Sequence, residues 1–172
     1  MILADVCGTR RGLGSDFAPD AAAAGFDDVE TGGGDVLVHP RDPYHRIDTY
    51  STSRRISVSV NGMLVAESTR AEALFETSLP TRYYLPVDDV RMELLEPSET
   101  ITQCAYKGTA RHWSARIDDD LVPDVAWTYD DVRREGEPVQ GLIAFYNERL
   151  DLDVDGIRQE RPHTRWSREA QR

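Results

Sequence analysis

The sequence predicts a mostly β protein, a compact rolled or barrel-like antiparallel sheet with one short helix. Ile56, Val58 and Val60 alternate with serines, as in a strand with one buried face. Asn61-Gly62 follows directly, and this pair favours a two-residue hairpin turn because both positions need a positive φ. Short apolar segments then recur roughly every 8–12 residues, which is typical of a sandwich, a barrel or a rolled sheet.

The chain of 172 residues divides into three predicted parts, with room for one ordinary domain. Residues 1–53 are expected to be an N-terminal arm and connector, partly flexible, because alanine and glycine runs there offer little to a core. Within this arm we expect a short helix near residues 21–26 and a short strand over residues 35–40. Residues 54–162 are the predicted β-rich domain, and residues 163–172 are a polar tail.

The one predicted helix of the domain spans residues 69–77. Thr69 and Glu72 have the spacing of a capping box, in which side chains satisfy the first free backbone N–H groups of a helix. Ala71 and Leu74 would then share one apolar face.

The remaining elements of the domain are predicted strands that are separated by Pro, Gly and Asp turns. They are expected over residues 83–86, 90–95, 101–106, 109–117, 125–129, 142–146 and 150–154. Together with the first hairpin they would supply the whole antiparallel sheet.

The charge of the chain excludes some partners. The formal net charge is -11, and an acidic surface repels both nucleic acid and anionic lipid. We therefore expect no nucleic-acid partner and no membrane partner. No apolar run reaches the ~20 residues that cross a bilayer, and we recognise no secretory signal at the N-terminus. With two cysteines in unrelated contexts, the sequence predicts a cytoplasmic protein without a disulfide framework.

A set of short motifs runs through the domain and carries a family resemblance, because it keeps the family's order and spacing. The motifs are Asn61-Gly62, Ala66-Glu67-Ser68, Leu74-Phe75-Glu76, Pro80-Thr81-Arg82-Tyr83-Tyr84-Leu85-Pro86, Asp89-Val90, Leu95-Glu96-Pro97-Ser98, Cys104-Ala105-Tyr106-Lys107-Gly108, Trp113-Ser114, Ala126-Trp127, Tyr129, Gly141 and Ala144-Phe145-Tyr146. In these the chain resembles the widespread bacterial domain of unknown function 427 family, over about the last two-thirds of its length.

The resemblance implies a small β-rich domain, and members of the family carry a nucleotidyltransferase-type label. Some relatives have two tandem copies, and this chain is similar to the second copy. The family segment usually reads Cys-Pro-Tyr/Phe-Lys-Gly, whereas this chain has Ala105 in place of the proline. The change relaxes a fixed backbone angle just before Tyr106 and Lys107.

The segment Cys104-Ala105-Tyr106-Lys107-Gly108 is the main candidate site. In an extended strand Cys104 and Tyr106 share a face, and Gly108 allows a bulge that would turn Lys107 toward the same cavity. A lysine in a partly dry pocket can act as a base, an imine former or an anion clamp, and it can favour a thiolate at Cys104. The alternative is a strand that ends in an exposed lysine, with Cys104 as a small core residue.

Aromatic residues complete the candidate site. We assign Lys107 and Cys104 as candidate catalytic residues and Tyr84, Tyr106 and Trp113 as candidate ligand-binding residues. Packing in the core is the alternative role for each aromatic side chain. Trp127 and Tyr129 share these two alternatives, since both belong to one predicted strand face.

Neither a metal site nor a cofactor is predicted. The four histidines are scattered, and no Cys-x-x-Cys pair is present. Asp151-x-Asp153-x-Asp155-Gly156 imitates the start of a calcium-binding loop, but the twelfth position is Pro162 instead of glutamate. A strand followed by an Asp-Gly turn is the better interpretation.

Nucleotide chemistry has little support in the sequence. The phosphate-binding motif Gly-x-x-x-x-Gly-Lys-Ser/Thr is missing, and Gly12-x-Gly14 follows no predicted strand. Nucleotidyl transfer that depends on metal ions would need paired carboxylates beside a phosphate-binding loop. The aspartate pairs of this chain lie in predicted turns, where a solvated surface is their usual role.

Two functions remain as hypotheses. The first is a small-molecule site, binding or catalytic, in which Lys107 anchors an anionic ligand or transfers a proton. The second is a non-catalytic module that binds a protein or a second copy of itself, as a homodimer, through an exposed sheet edge or residues 36–50. Nucleotidyl transfer, as the family label suggests, is a third and less favoured alternative.

Overall fold

The computed structural model describes residue 42 and residues 44–167, which form two antiparallel sheets. In chain order the strands are β1 (Ile47–Thr52), β2 (Ile56–Val60), β3 (Met63–Ser68), β4 (Ala71–Glu76), β5 (Arg82–Leu85), β6 (Leu95–Cys104), β7 (Gly108–Ile117), β8 (Asp120–Val132), β9 (Ile143–Phe145), β10 (Asp151–Val154) and β11 (Ile157–Arg158). Three short 3-10 helices, Val87–Asp89, Met92–Leu94 and Arg134–Val139, lie between strands. The predicted mostly β class is therefore confirmed.

The larger sheet has seven strands in the order β1-β4-β5-β9-β8-β7-β6, and the smaller sheet has four in the order β11-β10-β2-β3. The smaller sheet is built around the predicted hairpin. Asn61 and Gly62 at its turn have φ values of +50° and +81°, as this turn requires. The strands before and after them pair from Ile56 with Ser68 to Val60 with Met63.

The two faces of the larger sheet carry two different cores, because successive side chains of a strand point to opposite faces. Leu85 and Ile143 belong to the first core, between the two sheets, where they join Val58 and Val65 of the smaller sheet. Their chain neighbours Tyr84 and Ala144 belong to a second core on the other face. This second core contains six large aromatic side chains: Tyr84, Tyr106, Trp127, Tyr129, Tyr146 and Trp166.

The larger sheet curves around the second core, so that its two ends meet. The ring of His45, just before β1, stacks on the ring of Tyr106, in the turn between β6 and β7, with 4.2 Å between the centroids. Asp42 donates its backbone N–H to the Tyr106 hydroxyl at 3.1 Å. No ladder pairs β1 with β6 among the described residues, so the sheet is rolled but does not close into a barrel.

The predicted helix over residues 69–77 is wrong, because this segment forms β4. Backbone pairing on both sides, with β1 and with β5, outweighs the local helix signal. The turn before β4 is held instead by the neighbouring residue Ser68, whose Oγ accepts the Arg70 N–H at 2.9 Å.

Ordered structure extends to both flanks of the predicted domain. Residues of the predicted connector form β1, which pairs with β4 along its whole length. Trp166, in the predicted polar tail, is buried. The helix expected near residues 21–26 and the strand expected over residues 35–40 lie outside the described residues. In the described part of the chain, no helix has both the length and the apolar character to span a bilayer.

Candidate functional site

A narrow cleft opens into the second core, on the concave side of the larger sheet. About 240 Å³ of space lies between its lining atoms, a figure that includes open solvent at the mouth. Its lining consists of Glu76, Leu79, Arg82, Tyr84, Lys107, Trp127, Tyr146 and Trp166. A hollow of about 280 Å³ at the edge of the first core is lined by Val58, Thr81, Tyr83, Phe145, Asn147, Leu150 and Leu152. The lining of this hollow contains no acidic or basic side chain, so we place the candidate site in the cleft.

Lys107 reaches the cleft from the tight turn between β6 and β7. Its backbone N–H donates to Cys104 Sγ at 3.3 Å, and its carbonyl oxygen accepts the Arg133 N–H at 3.0 Å. The Arg133 guanidinium also donates to the carbonyl oxygen of Ala105 at 2.6 Å. The turn is thus held from within by a thiol and from outside by one arginine.

Two glycines allow this turn to pack closely against the chain. A Cβ atom on Gly136 would lie 2.3 Å from the carbonyl oxygen of Lys107. Gly108 has a φ of +116°, and a Cβ atom there would lie 2.2 Å from the carbonyl oxygen of Asp131. Neither position accepts a side chain without a backbone shift, so both glycines position Lys107.

The Lys107 ammonium pairs with a buried carboxylate. Its Nζ donates to Glu76 Oε2, and the side chains of Lys107 and Glu76 are 2% and 3% exposed. Glu76 Oε1 lies 2.9 Å from His45 Nε2, which gives the carboxylate a second hydrogen-bond partner. His45, Glu76 and Lys107 therefore form a continuous hydrogen-bonded chain from the flank of β1 into the cleft.

A second buried ion pair lies beside the first. Arg82 binds Glu148 through both carboxylate oxygens, at 2.7 Å and 2.5 Å. The Thr164 hydroxyl adds a hydrogen bond of 2.7 Å to the same carboxylate. Burial by itself would raise the pKa of Glu148, but the hydrogen bonds and charge of Arg82, with help from Thr164, lower it below its usual value.

Aromatic rings form the walls of the cleft. The Arg82 guanidinium lies over the rings of Trp127, Tyr146 and Trp166, at 5.5 Å, 5.9 Å and 5.7 Å from their centroids. Trp127 donates its indole N–H to the Tyr84 hydroxyl at 3.3 Å. Burial raises the pKa of Tyr84 to about 12, so this hydroxyl keeps its proton at neutral pH.

His112 lies on the same sheet face, next to the cleft. Its Nε2 is 2.9 Å from the Thr102 hydroxyl, and its ring stacks at 6.1 Å on Tyr146, which lines the cleft. Burial lowers the pKa of His112 to about 4, so the ring is neutral at physiological pH.

The structure brings together some of the residues that the sequence singled out. Tyr84 and Lys107 line the cleft. Tyr106 stacks on His45 behind Glu76, and Cys104 lies under the turn with its sulfur engaged by the Lys107 N–H. Trp113 lies on the opposite face of the sheet and packs against the first core, since its neighbour His112 is the residue that points to the cleft side.

Sequence reasoning missed the two carboxylates and Arg82, because their partners are distant in the chain. The sequence did hold one signal for Lys107 that is independent of motifs. Lys107 is the only lysine in the chain, and the other nineteen basic residues are arginines. This single lysine is also among the most deeply buried large side chains of the described residues.

These features define the class of protein: a two-sheet β domain whose rolled larger sheet encloses a cleft with two buried ion pairs. The model of the domain of unknown function DUF427, which carries the label NTP_transf_9, matches residues 48–156, and the chain belongs to this family. A search of the curated proteins finds no match. The matched range includes every lining residue of the cleft except Trp166.

Proposed function

We propose that this domain binds a small molecule in the cleft beside Lys107. The observation that carries the proposal is the placement of the only lysine of the chain, buried and paired with Glu76, in the wall of an aromatic cleft. Lys107 then provides the charged group of the site, which anchors an anionic part of the ligand or transfers a proton.

The energetics of buried charges support a functional role. Taking an ion pair out of water costs several kcal/mol per ion, and a well-packed apolar pair of similar volume is often as stable or more stable. This cleft nevertheless keeps two such pairs, Lys107 with Glu76 and Arg82 with Glu148. Stability alone gives no reason for them, whereas a binding site uses charges of this kind.

The lining also indicates the kind of ligand. Each cation is already balanced by a carboxylate, so a large anion would gain little net attraction. The walls are aromatic, and small-molecule sites are commonly apolar with a few placed polar groups. We infer a small, mostly apolar or aromatic ligand with one polar group that meets Lys107.

Native mass spectrometry tests this proposal. The protein is measured as purified and after incubation with a protein-free extract of small metabolites. We expect a bound small mass in the unchanged protein and its loss in Lys107→Met. The matched control is Arg111→Met, which removes an exposed cation on β7 that pairs with Asp130 at the surface. Equal binding to the folded Lys107→Met protein would contradict the proposal.

Self-association is the second candidate function, supported by one surface feature. Strand β1 lies at one end of the larger sheet, and Tyr50 on it packs against Phe75 of β4 with 6.0 Å between ring centroids. These two side chains are 60% and 46% exposed. An end strand with exposed aromatic residues is suited to pairing with a second copy of the chain as a homodimer.

Light scattering after size exclusion tests the homodimer. We expect a dimer that Tyr50→Ser weakens. Ile101→Ser is the control, because Ile101 is 54% exposed on β6 at the other end of the sheet. A monomer over the whole measurable concentration range would rule this candidate out.

We do not extend the nucleotidyltransferase label of the family to this chain. Both cations in the cleft lining are committed to carboxylates, which leaves little attraction for a triphosphate. Calorimetry with ATP and Mg²⁺ is expected to show no binding. Saturable binding that Lys107→Met abolishes would restore nucleotide chemistry as the leading function.

A further inference from the structure

The choice of lysine at position 107 carries information beyond its charge. Arginine serves at every other basic position of the chain, including Arg82 in the same cleft. Arginine forms the better buried ion pair, because its planar guanidinium binds a carboxylate through two hydrogen bonds. Lysine differs in one chemical respect that matters here: its amine can lose a proton and then act as a nucleophile.

We propose that Lys107 is a carbonyl-reactive amine, and that the cleft takes an aldehyde or a ketone as an imine on Lys107 Nζ. The inference rests on the proposed small-molecule site and names the class of its ligand. It draws on three observations: the single lysine, its buried contact with Glu76, and the aromatic walls around them.

Glu76 is placed to manage the protons of this reaction. The ammonium of Lys107 gives one proton to Glu76 Oε2, its hydrogen-bond partner, and becomes a neutral amine. The nitrogen lone pair then attacks the carbonyl carbon. As the C=N bond replaces the C=O bond, the two remaining N–H protons leave with the carbonyl oxygen as water. No oxidant or reductant is required.

The buried contact with Glu76 gives a direct route from the ion pair to the neutral amine that this step needs. In a low-dielectric interior, proton transfer turns a costly ion pair into a neutral hydrogen-bonded pair. His45 keeps its hydrogen bond to the other oxygen of Glu76, at 2.9 Å, and so holds the carboxyl group in place. Aromatic walls exclude water, which slows hydrolysis of an imine once it has formed.

The lone lysine makes a direct experiment feasible. Lys107 carries the only side-chain amine of the chain, so the α-amino group is the one other primary amine. The full chain is treated with benzaldehyde and sodium cyanoborohydride, which reduces imines to stable adducts. The rate of adduct formation at each amine is measured by peptide mass spectrometry, in the native protein and in guanidinium chloride.

A reactive lysine and a structural lysine give opposite results. We expect Lys107 to react at least about tenfold faster in the native protein than in the unfolded chain, because positioned acid–base groups commonly contribute factors of about 10² or more. The α-amino group provides the internal reference for reagent activity. Protection of Lys107 in the native protein, with slower reaction than in the unfolded chain, overturns the inference.

A matched pair of variants identifies the role of Glu76. Glu76→Gln keeps the size of the side chain and removes the proton acceptor, and it is expected to abolish the native acceleration. The control is Glu72→Gln. Glu72 lies on the same strand, and its carboxylate accepts a hydrogen bond from the exposed Ser51 hydroxyl, so this variant is expected to react like the unchanged protein. Unchanged acceleration in a folded Glu76→Gln protein would refute the proton-acceptor role.

The outcome separates the two proposals. A protected Lys107 in a protein that still binds a small mass in native mass spectrometry refutes the imine and leaves the binding site intact. If the protein neither binds a small mass nor shows native acceleration at Lys107, both proposals are refuted.

Discussion

Lys107 and Glu76 are 31 positions apart in the sequence and form a buried ion pair in the interior of the rolled sheet. Glu76 is the last residue of β4, and Lys107 lies in the turn between β6 and β7. Four strands separate β4 from β6 in the order of the sheet, so the pair forms only because the sheet curves until its ends meet. The candidate site is therefore a consequence of that curvature.

The Lys107–Glu76 pair is expected to show strong coupling in stability. Lys107→Met or Glu76→Leu alone removes one charge of a buried ion pair, and each should lower the free energy of unfolding by about 3–5 kcal/mol. The double variant should lose much less than the sum of the two, because it removes both charges. Urea unfolding of the four proteins measures this. Additive losses would show that the two side chains do not interact.

Gly136 is expected to tolerate no side chain. In Gly136→Ala the new Cβ atom meets the Lys107 carbonyl oxygen, and we expect a loss of about 1–3 kcal/mol together with slower adduct formation at Lys107. Gly141→Ala is the control. Gly141 has a positive φ but open space around its Cβ position, so it should lose about 1 kcal/mol and leave Lys107 unaffected. Equal behaviour of the two variants would contradict the positioning role of Gly136.

The stability of the protein is expected to depend on the guanidinium group of Arg82. Arg82→Met leaves Glu148 buried without its cationic partner and should lower the free energy of unfolding by about 3–5 kcal/mol, as measured by urea unfolding. Arg82→Lys restores the charge but cannot bind both carboxylate oxygens in the same plane, so it should recover part of that loss. Full recovery with lysine would show that charge alone matters at this position.

Stability is expected to fall with decreasing pH, partly through His112. Burial lowers its pKa to about 4 from the usual 6.5, so the unfolded chain binds a proton more readily than the folded one. This contribution to the free energy of unfolding is complete above about pH 6.5. It is lost as the pH falls toward 4, by up to about 3 kcal/mol. His112→Gln should flatten this part of the profile.

Urea unfolding across this pH range measures the slope, and the exposed residue His163 supplies the control as His163→Gln. Glu148 acts in the same direction at lower pH, because its pKa lies below the usual value. An unchanged slope in His112→Gln would show that His112 is not the group responsible.

Local signals predicted the parts of the fold that depend on neighbours in sequence. Asn61-Gly62 predicted its hairpin, because the turn conformation is set by two residues. The helix prediction over residues 69–77 was wrong, because its capping pattern and apolar face are outweighed by strand pairing that only the complete sheet provides. Of the residues that the motifs proposed for the site, Tyr84 and Lys107 line the cleft, whereas Trp113 lies on the other face of the sheet.

The sequence by itself determined the β class, the acidic charge and the family resemblance, and it proposed the segment around Lys107 as a candidate site. It also placed its only lysine there. The tertiary structure alone decided which groups meet Lys107. Glu76 and His45 come from one end of the sheet, and Glu148 reaches Arg82 across 66 positions of the chain. Turns and alternation are local properties of a chain, whereas the pairing of buried charges depends on how the whole sheet curves.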